Sequence, residues 1–215
     1  MTATVALIDY GSGNLRSAAK ALTRAADSSG TRHEIIVTAD PGCVAAAERI
    51  VLPGVGAFAD CMRGLSAIPG MLDALEAAVI GRKTAFLGIC VGMQLLADWG
   101  REYESCRGLG WIPGEVVRIT PLEPGLKIPH MGWNSLSIQQ PHKLFEGMVD
   151  GTDLYFVHSY YLRPRYPSHI LATTEYGGSL PAVVGRDNIA GTQFHPEKSQ
   201  AEGLALLERF LRWHP

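Results

Sequence analysis

The pattern of apolar and polar positions divides the chain into two halves of different character. In the first half, short apolar runs of strand length are followed by stretches with apolar residues at helical spacing, as in Leu15, Ala18 and Leu22. An alternation of this kind is typical of an α/β protein whose mostly parallel sheet is flanked by helices on both faces. The predicted strands are 4–10, 33–38, 49–54 and 84–90, and the predicted helices are 14–26, 44–50, 71–80 and 91–99.

The pattern changes after about Gly108, where strand-like segments separated by turn residues follow one another. We expect them to form an antiparallel extension of the main sheet. These segments are 108–119, 133–138, 153–162, 169–176 and 181–194. Residues 201–213 have the apolar stripe of a closing amphipathic helix. Because no repeat or long linker interrupts the chain, we predict a single domain over residues 1–215.

Composition and charge narrow the range of partners. Apolar residues make up 47% of the chain and charged residues 19%, as in an ordinary globular protein. The net charge of −2 gives no reason to expect nucleic acid or an anionic membrane as a partner. The first apolar run is short, ends in Asp9 and has no basic segment before it, so we expect no signal peptide and a cytoplasmic location.

The cysteines give no sign of a structural framework. They are scattered along the chain without a C-x-x-C pair, so neither disulfides nor a zinc site is predicted. No metal and no cofactor are expected. The four are Cys43, Cys61, Cys90 and Cys106.

Cys90 differs from the others because it ends a predicted strand within the sequence Gly-Ile-Cys-Val-Gly. A thiolate at a strand-to-helix turn is stabilised by the unpaired N–H groups of the first helical turn. Gly88 and Gly92 leave room for a sharp turn, as in the nucleophile elbow of serine hydrolases. Taken alone, the pattern is as consistent with a buried structural cysteine as with a nucleophile.

A catalytic thiol needs a base, and His195 is the best candidate. It follows a strand-like run, and Pro196 ends that run because proline has no N–H to donate. Glu197 comes two residues after His195, and alternation along an extended chain would point both side chains towards one site. A histidine on the surface before a loop is the alternative.

A glycine-rich segment, Leu-Pro-Gly-Val-Gly-Ala-Phe at 52–58, follows another predicted strand. Its backbone N–H groups could stabilise a tetrahedral oxyanion, although many glycine-rich loops are plain turns. It matches neither the phosphate-binding loop nor the dinucleotide-binding fingerprint, so nucleotide binding is not indicated.

Residues 52–58, 86–94 and 191–199 together resemble the class I (triad-type) glutamine amidotransferases, over nearly the whole chain. The resemblance implies a flavodoxin-like fold and a catalytic triad of Cys90, His195 and Glu197. The implied oxyanion residues are Gly54, Val55, Gly56 and Val91. The implied substrate-binding residues are Gln94, His158, Ser159 and Tyr160.

Three further segments, 7–22, 130–134 and 155–161, look like the glutaminase subunits of imidazole glycerol phosphate synthase. That resemblance implies L-glutamine as substrate and ammonia passed to a separate cyclase subunit, a (β/α)₈ barrel, within a heterodimer of histidine biosynthesis. The chain has no eightfold βα pattern itself, so the cyclase would be another chain. The residues implied at the partner interface are Asn14, Arg16, His130, Trp133, Asn134 and Lys198.

Three other functions stay open from the sequence. The chain could serve a different class I amidotransferase with another acceptor enzyme. It could be a regulatory binding module without catalysis, although Cys90, His195 and Glu197 are all present. It could also be an intracellular cysteine peptidase on a similar sheet.

Overall fold

A computed structural model describes residues 3–30, 32–123 and 125–215, and an eight-stranded sheet runs through it. Its first five strands are parallel, and the last three continue it in antiparallel fashion. In spatial order they are β2 (His33–Thr38), β1 (Ala3–Ile8), β3 (Arg49–Gly54), β4 (Ala85–Cys90), β14 (Ile189–Thr192), β13 (Ser179–Arg186), β12 (Ile170–Glu175) and β9 (Ser137–Ile138).

Two groups of helices pack on this sheet. The connection from β1 to β2 crosses the sheet in the opposite direction to the connections from β2 to β3 and from β3 to β4. Because such connections are right-handed, the helix between β1 and β2 lies on the opposite face of the sheet from the helices of the later connections. Accordingly α1 packs against α6, whereas α2 and α3 both pack against α4. The helices are α1 (Leu15–Ser29), α2 (Pro41–Ala46), α3 (Phe58–Ser66), α4 (Met71–Leu75) with a π-helical continuation (Glu76–Gly81), α5 (Val91–Gln94) and α6 (Gln200–Arg212).

The predicted helix over 44–50 is wrong in its bounds, because local capping places α2 earlier. The Asp40 side chain accepts hydrogen bonds from the N–H groups of Gly42 (3.0 Å) and Cys43 (3.3 Å). Pro41 occupies the first turn, where its missing N–H is not needed. The chain leaves the helix after Ala46 because it must enter β3 at Arg49.

The predicted helix over 91–99 is also too long, since α5 ends at Gln94. The carbonyl groups that follow Gln94 accept hydrogen bonds from a distant segment of the chain, so the helix does not continue. Those of Leu95 and Leu96 accept hydrogen bonds from the N–H groups of Leu109 (2.8 Å) and Ile112 (2.9 Å). Helix α5 therefore consists of a single turn, and a 3-residue strand starts at Trp99.

The second half forms more than the single extension that we expected. Strands β13, β12 and β9 do extend the main sheet, but the others form two separate sheets. One contains β11 (Tyr160–Pro164), β7 (Gly114–Arg118), β5 (Trp99–Arg101) and β6 (Ser105–Arg107); the other pairs β10 (Asp153–His158) with β8 (His130–Ser135).

Three predicted strands are pairs of strands. The segment 133–138 is divided at Leu136 between β8 and β9. The segment 153–162 is divided at Ser159 between the two small sheets. The segment 181–194 is a hairpin that turns at Asp187, whose φ of 48° lies in the left-handed region. A period-two pattern of apolar residues does not reveal such breaks, because it continues on both sides of them.

The C-terminal helix is joined to the sheet by a buried cation. Arg49, 4% exposed, donates hydrogen bonds from Nε to the carbonyl of Phe210 (3.3 Å) and from Nη2 to that of Trp213 (3.1 Å). These carbonyls lie at and just after the end of α6, where a positive charge is favourable.

Among the described residues, no single helix is long and apolar enough to cross a membrane. One pair, Phe58–Ser66 with Met71–Gly81, matches by length and composition alone and is bent by 95°.

Candidate active site

The carboxyl ends of three neighbouring parallel strands bring the candidate residues together. Gly54 ends β3 and is paired in register with Cys90, which ends β4. On the other side of β4, strand β14 ends at Thr192, and His195 follows three positions later. The C-terminal edge of a parallel sheet is where α/β proteins place their ligands.

Cys90 lies on a strained turn between β4 and α5. Its φ of 56° and ψ of −113° lie in a region that residues with a side chain rarely adopt. The residue is 5% exposed and lies at the wall of a cleft. The strand-to-helix turn predicted from the Gly-x-Cys-x-Gly pattern is present, and Cys90 is one of the residues that line the cleft.

Three glycines permit the close approach of the chains around this turn. A Cβ at Gly92 would overlap the carbonyl oxygen of Leu52, and one at Gly88 would overlap the carbonyl of Gly92. A Cβ at Gly54 would lie 2.7 Å from the Gly92 nitrogen. Backbone atoms surround all three positions, so any larger residue would have to displace the strands.

His195 and Glu197 form a buried pair. The distance from His195 Nδ1 to Glu197 Oε1 is 2.8 Å, and both side chains are 3% exposed. The two side chains lie close together, as predicted, but the predicted reason, an extended chain, is wrong. Residues Pro196–Lys198 form a turn of 3₁₀ helix, and that turn, not an extended chain, brings the carboxylate back to the imidazole.

Electrostatics favours a protonated imidazole at this position. Burial lowers the pKa of His195, but the hydrogen bonds to Cys90 and Glu197 and the charges of these groups outweigh it and raise the pKa to about 9. The second oxygen of Glu197, Oε2, is buried and has no hydrogen-bond partner in the described part of the chain. The charge of this carboxylate is therefore compensated mainly by His195.

The loop that carries His195 is fixed by its backbone. The His195 N–H donates to the Tyr155 carbonyl (3.0 Å), and the Ser199 hydroxyl donates to the His195 carbonyl (2.7 Å). The same hydroxyl accepts from the N–H of Tyr155 (3.0 Å). Ser199, which sequence reasoning missed, thus joins the loop to β10.

Two glutamine side chains connect Cys90 to β11. Gln94 Nε2 donates to the Tyr160 carbonyl (2.9 Å) and to Gln193 Oε1 (3.1 Å). Gln193 Nε2 in turn lies 3.9 Å from Cys90 Sγ. Gln193 was not predicted, since a buried polar residue at the end of a strand has no distinct sequence signal.

Two buried histidines extend this network away from the cleft. His158 Nδ1 donates to the Tyr160 carbonyl (2.9 Å), and its Nε2 lies 2.9 Å from His130 Nδ1. His130 Nε2 lies 3.1 Å from Asn134 Nδ2, which can only donate. All these contacts are satisfied when both rings are neutral with the proton on Nδ1. Burial accordingly lowers the pKa of His130 to about 4 and that of His158 to about 3.

This burial predicts a specific loss of stability in acid. A histidine with a pKa of about 6.5 when unfolded and about 4 when folded stabilises the fold fully above pH 6.5, and this contribution is lost as pH falls towards 4. At pH 5 the loss for His130 should be about 2 kcal/mol. We expect the free energy of unfolding, measured with urea, to fall less between pH 7 and pH 5 for His130→Gln than for wild type. The difference between the two should be about 2 kcal/mol.

The exposed residue His214 provides the matched control, His214→Gln. If the free energy of unfolding fell equally in His130→Gln and wild type between pH 7 and pH 5, the assignment of a neutral, buried His130 would be contradicted.

A cleft of about 350 Å³ lies in front of Cys90. All the predicted oxyanion and substrate-binding residues except Gly54 line this cleft. Its lining residues are Val55, Gly56, Cys90, Val91, Gln94, Glu102, Pro129, Val157, His158, Ser159, Tyr160, His195 and Lys198. Glu102 is a residue that sequence reasoning missed: one carboxylate oxygen accepts from the Phe58 N–H (2.8 Å), and the group lies on the cleft wall.

The predicted interface residues are not equivalent in their exposure. Arg16, Trp133 and Lys198 are exposed, with Trp133 at 48%, and Asn14 and Asn134 are partly buried. His130 is only 2% exposed and lies beneath this surface, stacked on Phe156 and Tyr176. In this conformation the His130 ring cannot contact a partner directly, because its nitrogens are used internally.

Comparisons with known proteins agree with this architecture. The family model described as "Glutamine amidotransferase class-I" matches residues 6–213. Two solved structures share the fold. One is a glutamine amidotransferase with a TM-score of 0.69 and 19% sequence identity, and the match covers 96% of this chain and 97% of that one. The other is a glutamine amidotransferase from Thermotoga maritima with a TM-score of 0.61 and 16% identity, and the match covers 92% of this chain and 77% of that one. The predicted mostly parallel α/β fold is thus confirmed.

Closer relatives cover almost the full chain. The "Imidazole glycerol phosphate synthase subunit HisH" of Rhodospirillum rubrum is 62% identical over 212 residues, which is 98% of this chain and 99% of the relative. The protein of that name from Agrobacterium fabrum is 58% identical over 214 residues, which is 98% of this chain and 99% of the relative. The one from Caulobacter vibrioides is 55% identical over 212 residues, which is 99% of each chain. The chain belongs to the class I glutamine amidotransferase family and, within it, to the HisH subunits of imidazole glycerol phosphate synthase.

Proposed function

We propose that this chain hydrolyses L-glutamine to glutamate and ammonia with Cys90 as nucleophile, His195 as general acid and base, and Glu197 as the group that orients His195. The observation that carries the proposal is the buried contact of 2.8 Å between His195 and Glu197 beside a cysteine on a strained turn. A merely structural cysteine would need neither a charged imidazole next to it nor a cleft in front of it.

The first half of the reaction forms a thioester. The Cys90 sulfur attacks the side-chain amide carbon of glutamine, and the carbonyl oxygen takes up the negative charge. Backbone amides at Val91 and in the segment 54–56 would stabilise this oxyanion. When the intermediate collapses, the carbon–nitrogen bond breaks and His195 gives its proton to the departing ammonia. The raised pKa of His195 keeps that proton available at neutral pH.

The second half releases glutamate. His195, now neutral, removes a proton from a water molecule, and this water attacks the thioester carbon. The carbon–sulfur bond breaks, glutamate leaves, and the thiolate beside a protonated imidazole is restored. Glu197 stabilises the protonated ring in both steps without changing its own protonation state.

The cleft also offers groups for the rest of the substrate. Glu102 provides a negative charge for the α-amino group of glutamine, and Lys198 provides a positive one for the carboxylate. Gln94 holds Tyr160 and Gln193 in place and keeps its own amide oxygen for other contacts. His158 supports this wall from behind, because both of its ring nitrogens are already bonded.

The family places this glutaminase in imidazole glycerol phosphate synthase of histidine biosynthesis, so glutamine is the substrate and a cyclase is the partner. We further infer a heterodimer with a (β/α)₈-barrel cyclase in the cytoplasm. Shielded ammonia would react there with phosphoribulosyl-formimino-aminoimidazole carboxamide ribonucleotide. The exposed Trp133 and Met131, at 48% and 65%, support a partner on this face. We also infer that residues 1–215 act as one domain, because residues from both halves of the described chain join one buried core.

The proposed function is tested by a glutaminase assay of two samples. One contains the free chain, and the other contains the chain with the cyclase and the cyclase's nucleotide substrate named above. We expect glutamate to form slowly in the free chain and much faster in the complex, because the partner completes the oxyanion site. No glutamate in either sample would refute the proposal, and equal rates would refute activation by the partner. A different acceptor enzyme in place of the cyclase serves as the matched control.

A further inference from the structure

The side-chain amide of Gln193 is buried beside the sulfur of Cys90. Strands β14 and β4 are paired in register up to Thr192 and Ile89. The residues that follow them, Gln193 and Cys90, are therefore neighbours. Gln193 is 0% exposed, and its backbone N–H donates to the Ala182 carbonyl of β13 (2.8 Å). Its side-chain Nε2 lies 3.9 Å from Cys90 Sγ, so a residue fixed in the sheet contacts the reacting atom.

The direction of each hydrogen bond that leads to this sulfur is determined. The Tyr160 carbonyl oxygen can only accept, so the atom of Gln94 that lies 2.9 Å from it must be the amide nitrogen Nε2. The same nitrogen lies 3.1 Å from the Gln193 side chain and needs an acceptor there, so that atom must be the amide oxygen Oε1. The NH₂ group of Gln193 then faces Cys90, and an NH₂ group can only donate.

The surroundings prevent a reversal of either amide. His158 Nδ1 donates to the same Tyr160 carbonyl (2.9 Å), which holds that oxygen in place. A reversed Gln94 amide would put oxygen against this carbonyl, and a reversed Gln193 amide would put nitrogen against nitrogen. Both side chains are buried, at 3% and 0% exposure, so the unpaired groups could not turn to water instead. The donor therefore stays directed at the sulfur.

A donor at this place favours the thiolate over the thiol, because a charged sulfur is a much better acceptor. Cys90 is only 5% exposed, so water contributes little to stabilising the charge. His195 supplies one donor to the sulfur, and its pKa of about 9 keeps the ring protonated at neutral pH. The amide of Gln193 supplies a second donor that does not titrate.

We propose that Gln193 is a further catalytic residue, whose side-chain amide donates to the Cys90 sulfur and stabilises the thiolate that attacks glutamine. Its role in turnover rests on the function proposed above, whereas the bond itself is present in the free chain without substrate. The proton of the Cys90 thiol lies on His195 in this state, and Gln193 keeps both of its own. When the sulfur bonds to the substrate carbon, the negative charge moves to the carbonyl oxygen and the Gln193 bond weakens.

The other groups around the sulfur do not obscure this effect. The titratable and charged side chains near it are His195, Tyr10 and Cys61, with Glu102 and Lys198 on the cleft wall. Burial raises the pKa values of Tyr10 and Cys61, so both stay uncharged near neutral pH. The observed titration therefore belongs to the pair of Cys90 and His195.

Replacing Gln193 by methionine tests the bond in the free chain, without glutamine. Methionine has a similar shape but no N–H, so a higher pH is needed to form the thiolate, which is the form that iodoacetamide alkylates. A hydrogen bond to a charged group is worth about tenfold in such an equilibrium. We expect the pH of half-maximal Cys90 alkylation to rise by about one unit, with a rate about 10-fold lower on the acid side.

Peptide mapping by mass spectrometry separates Cys90 from the other cysteines, and the partly exposed Cys43 and Cys106 serve as internal references whose alkylation should not change. Gln140→Met is the matched control, because the Gln140 amide also donates to a backbone carbonyl, that of Ile170 (2.6 Å), but lies outside the cleft. It should leave the Cys90 profile unchanged. Gln193→Leu replaces Gln193→Met in the event that the latter does not fold.

A second measurement needs no change at Gln193. In wild type, the NMR signal of the Gln193 side-chain amide should shift with pH at the same midpoint as the alkylation of Cys90, because the amide senses the charge on the sulfur. In Cys90→Ala the shift at this midpoint should be absent.

An unchanged alkylation midpoint in the folded Gln193 variants, or an amide signal that responds to pH in the same way in Cys90→Ala, would overturn the proposed bond and leave the glutaminase function intact. A wild type with the expected alkylation and NMR results but without glutamine turnover, alone or with cyclase and nucleotide, would instead refute the proposed function itself.

Discussion

Replacing Cys90 by alanine should lower the glutaminase rate of the complex by at least about 10⁴-fold. The variant cannot form the thioester, and neither His195 nor the oxyanion amides can replace the missing sulfur. The strained backbone of residue 90, with its φ of 56°, is no less favourable for alanine than for cysteine. We therefore expect the melting temperature to change little, so that the loss of rate is not a loss of fold.

The matched control for this variant is Cys43→Ala, which removes a partly exposed thiol on α2 away from the cleft. It should retain the rate of wild type. Substantial glutamate formation by folded Cys90→Ala, measured by a coupled assay for glutamate, would exclude Cys90 as the nucleophile.

Replacing Glu197 by glutamine should lower kcat by roughly 10²- to 10⁴-fold. Glutamine has nearly the same shape, but it removes the negative charge that stabilises the protonated His195. The hydrogen bond to Glu197 and its charge are among the causes that raise the pKa of His195 to about 9, so that pKa should fall in the variant.

Two measurements test this prediction together. Steady-state kinetics gives kcat, and NMR titration of the imidazole gives the pKa of His195. Glu202→Gln, at an exposed position in the first turn of α6, is the matched control. A normal kcat, or an unchanged His195 pKa in Glu197→Gln, would contradict the role assigned to the carboxylate.

The main parts of the fold and of the candidate site could be predicted from local sequence patterns. The order of strands and helices up to Cys90 follows from apolar periodicity, and the turn at residue 90 follows from its glycines. These features depend on neighbours in sequence, which is why a single sequence reveals them.

Features that depend on distant partners could not be predicted. The length of α5 is set by the N–H groups of Leu109 and Ile112, and the burial of His130 is set by Phe156 and Tyr176. Glu102 lies in the cleft because a hairpin between β5 and β6 folds back over α3. None of these contacts leaves a periodic pattern in the residues that make them.

A contact of Ser12 shows the same limit within the site. A serine in a glycine-rich loop reads as an ordinary turn residue, and only the structure shows that its hydroxyl bonds the Val55 peptide. The sequence predicts an oxyanion segment at 54–56, but its Val55 peptide is bonded by a side chain more than 40 positions away.

The central claim, that Cys90 is the thiol that attacks glutamine, is tested most directly by covalent labelling with a glutamine analogue whose side-chain amide is replaced by a chloromethyl ketone. Peptide mapping by mass spectrometry then locates the label. We expect one adduct, on Cys90, whose formation is slowed by excess L-glutamine. Labelling of Cys43, Cys61 or Cys106 in place of Cys90, or labelling of Cys90 that glutamine does not slow, would contradict the account.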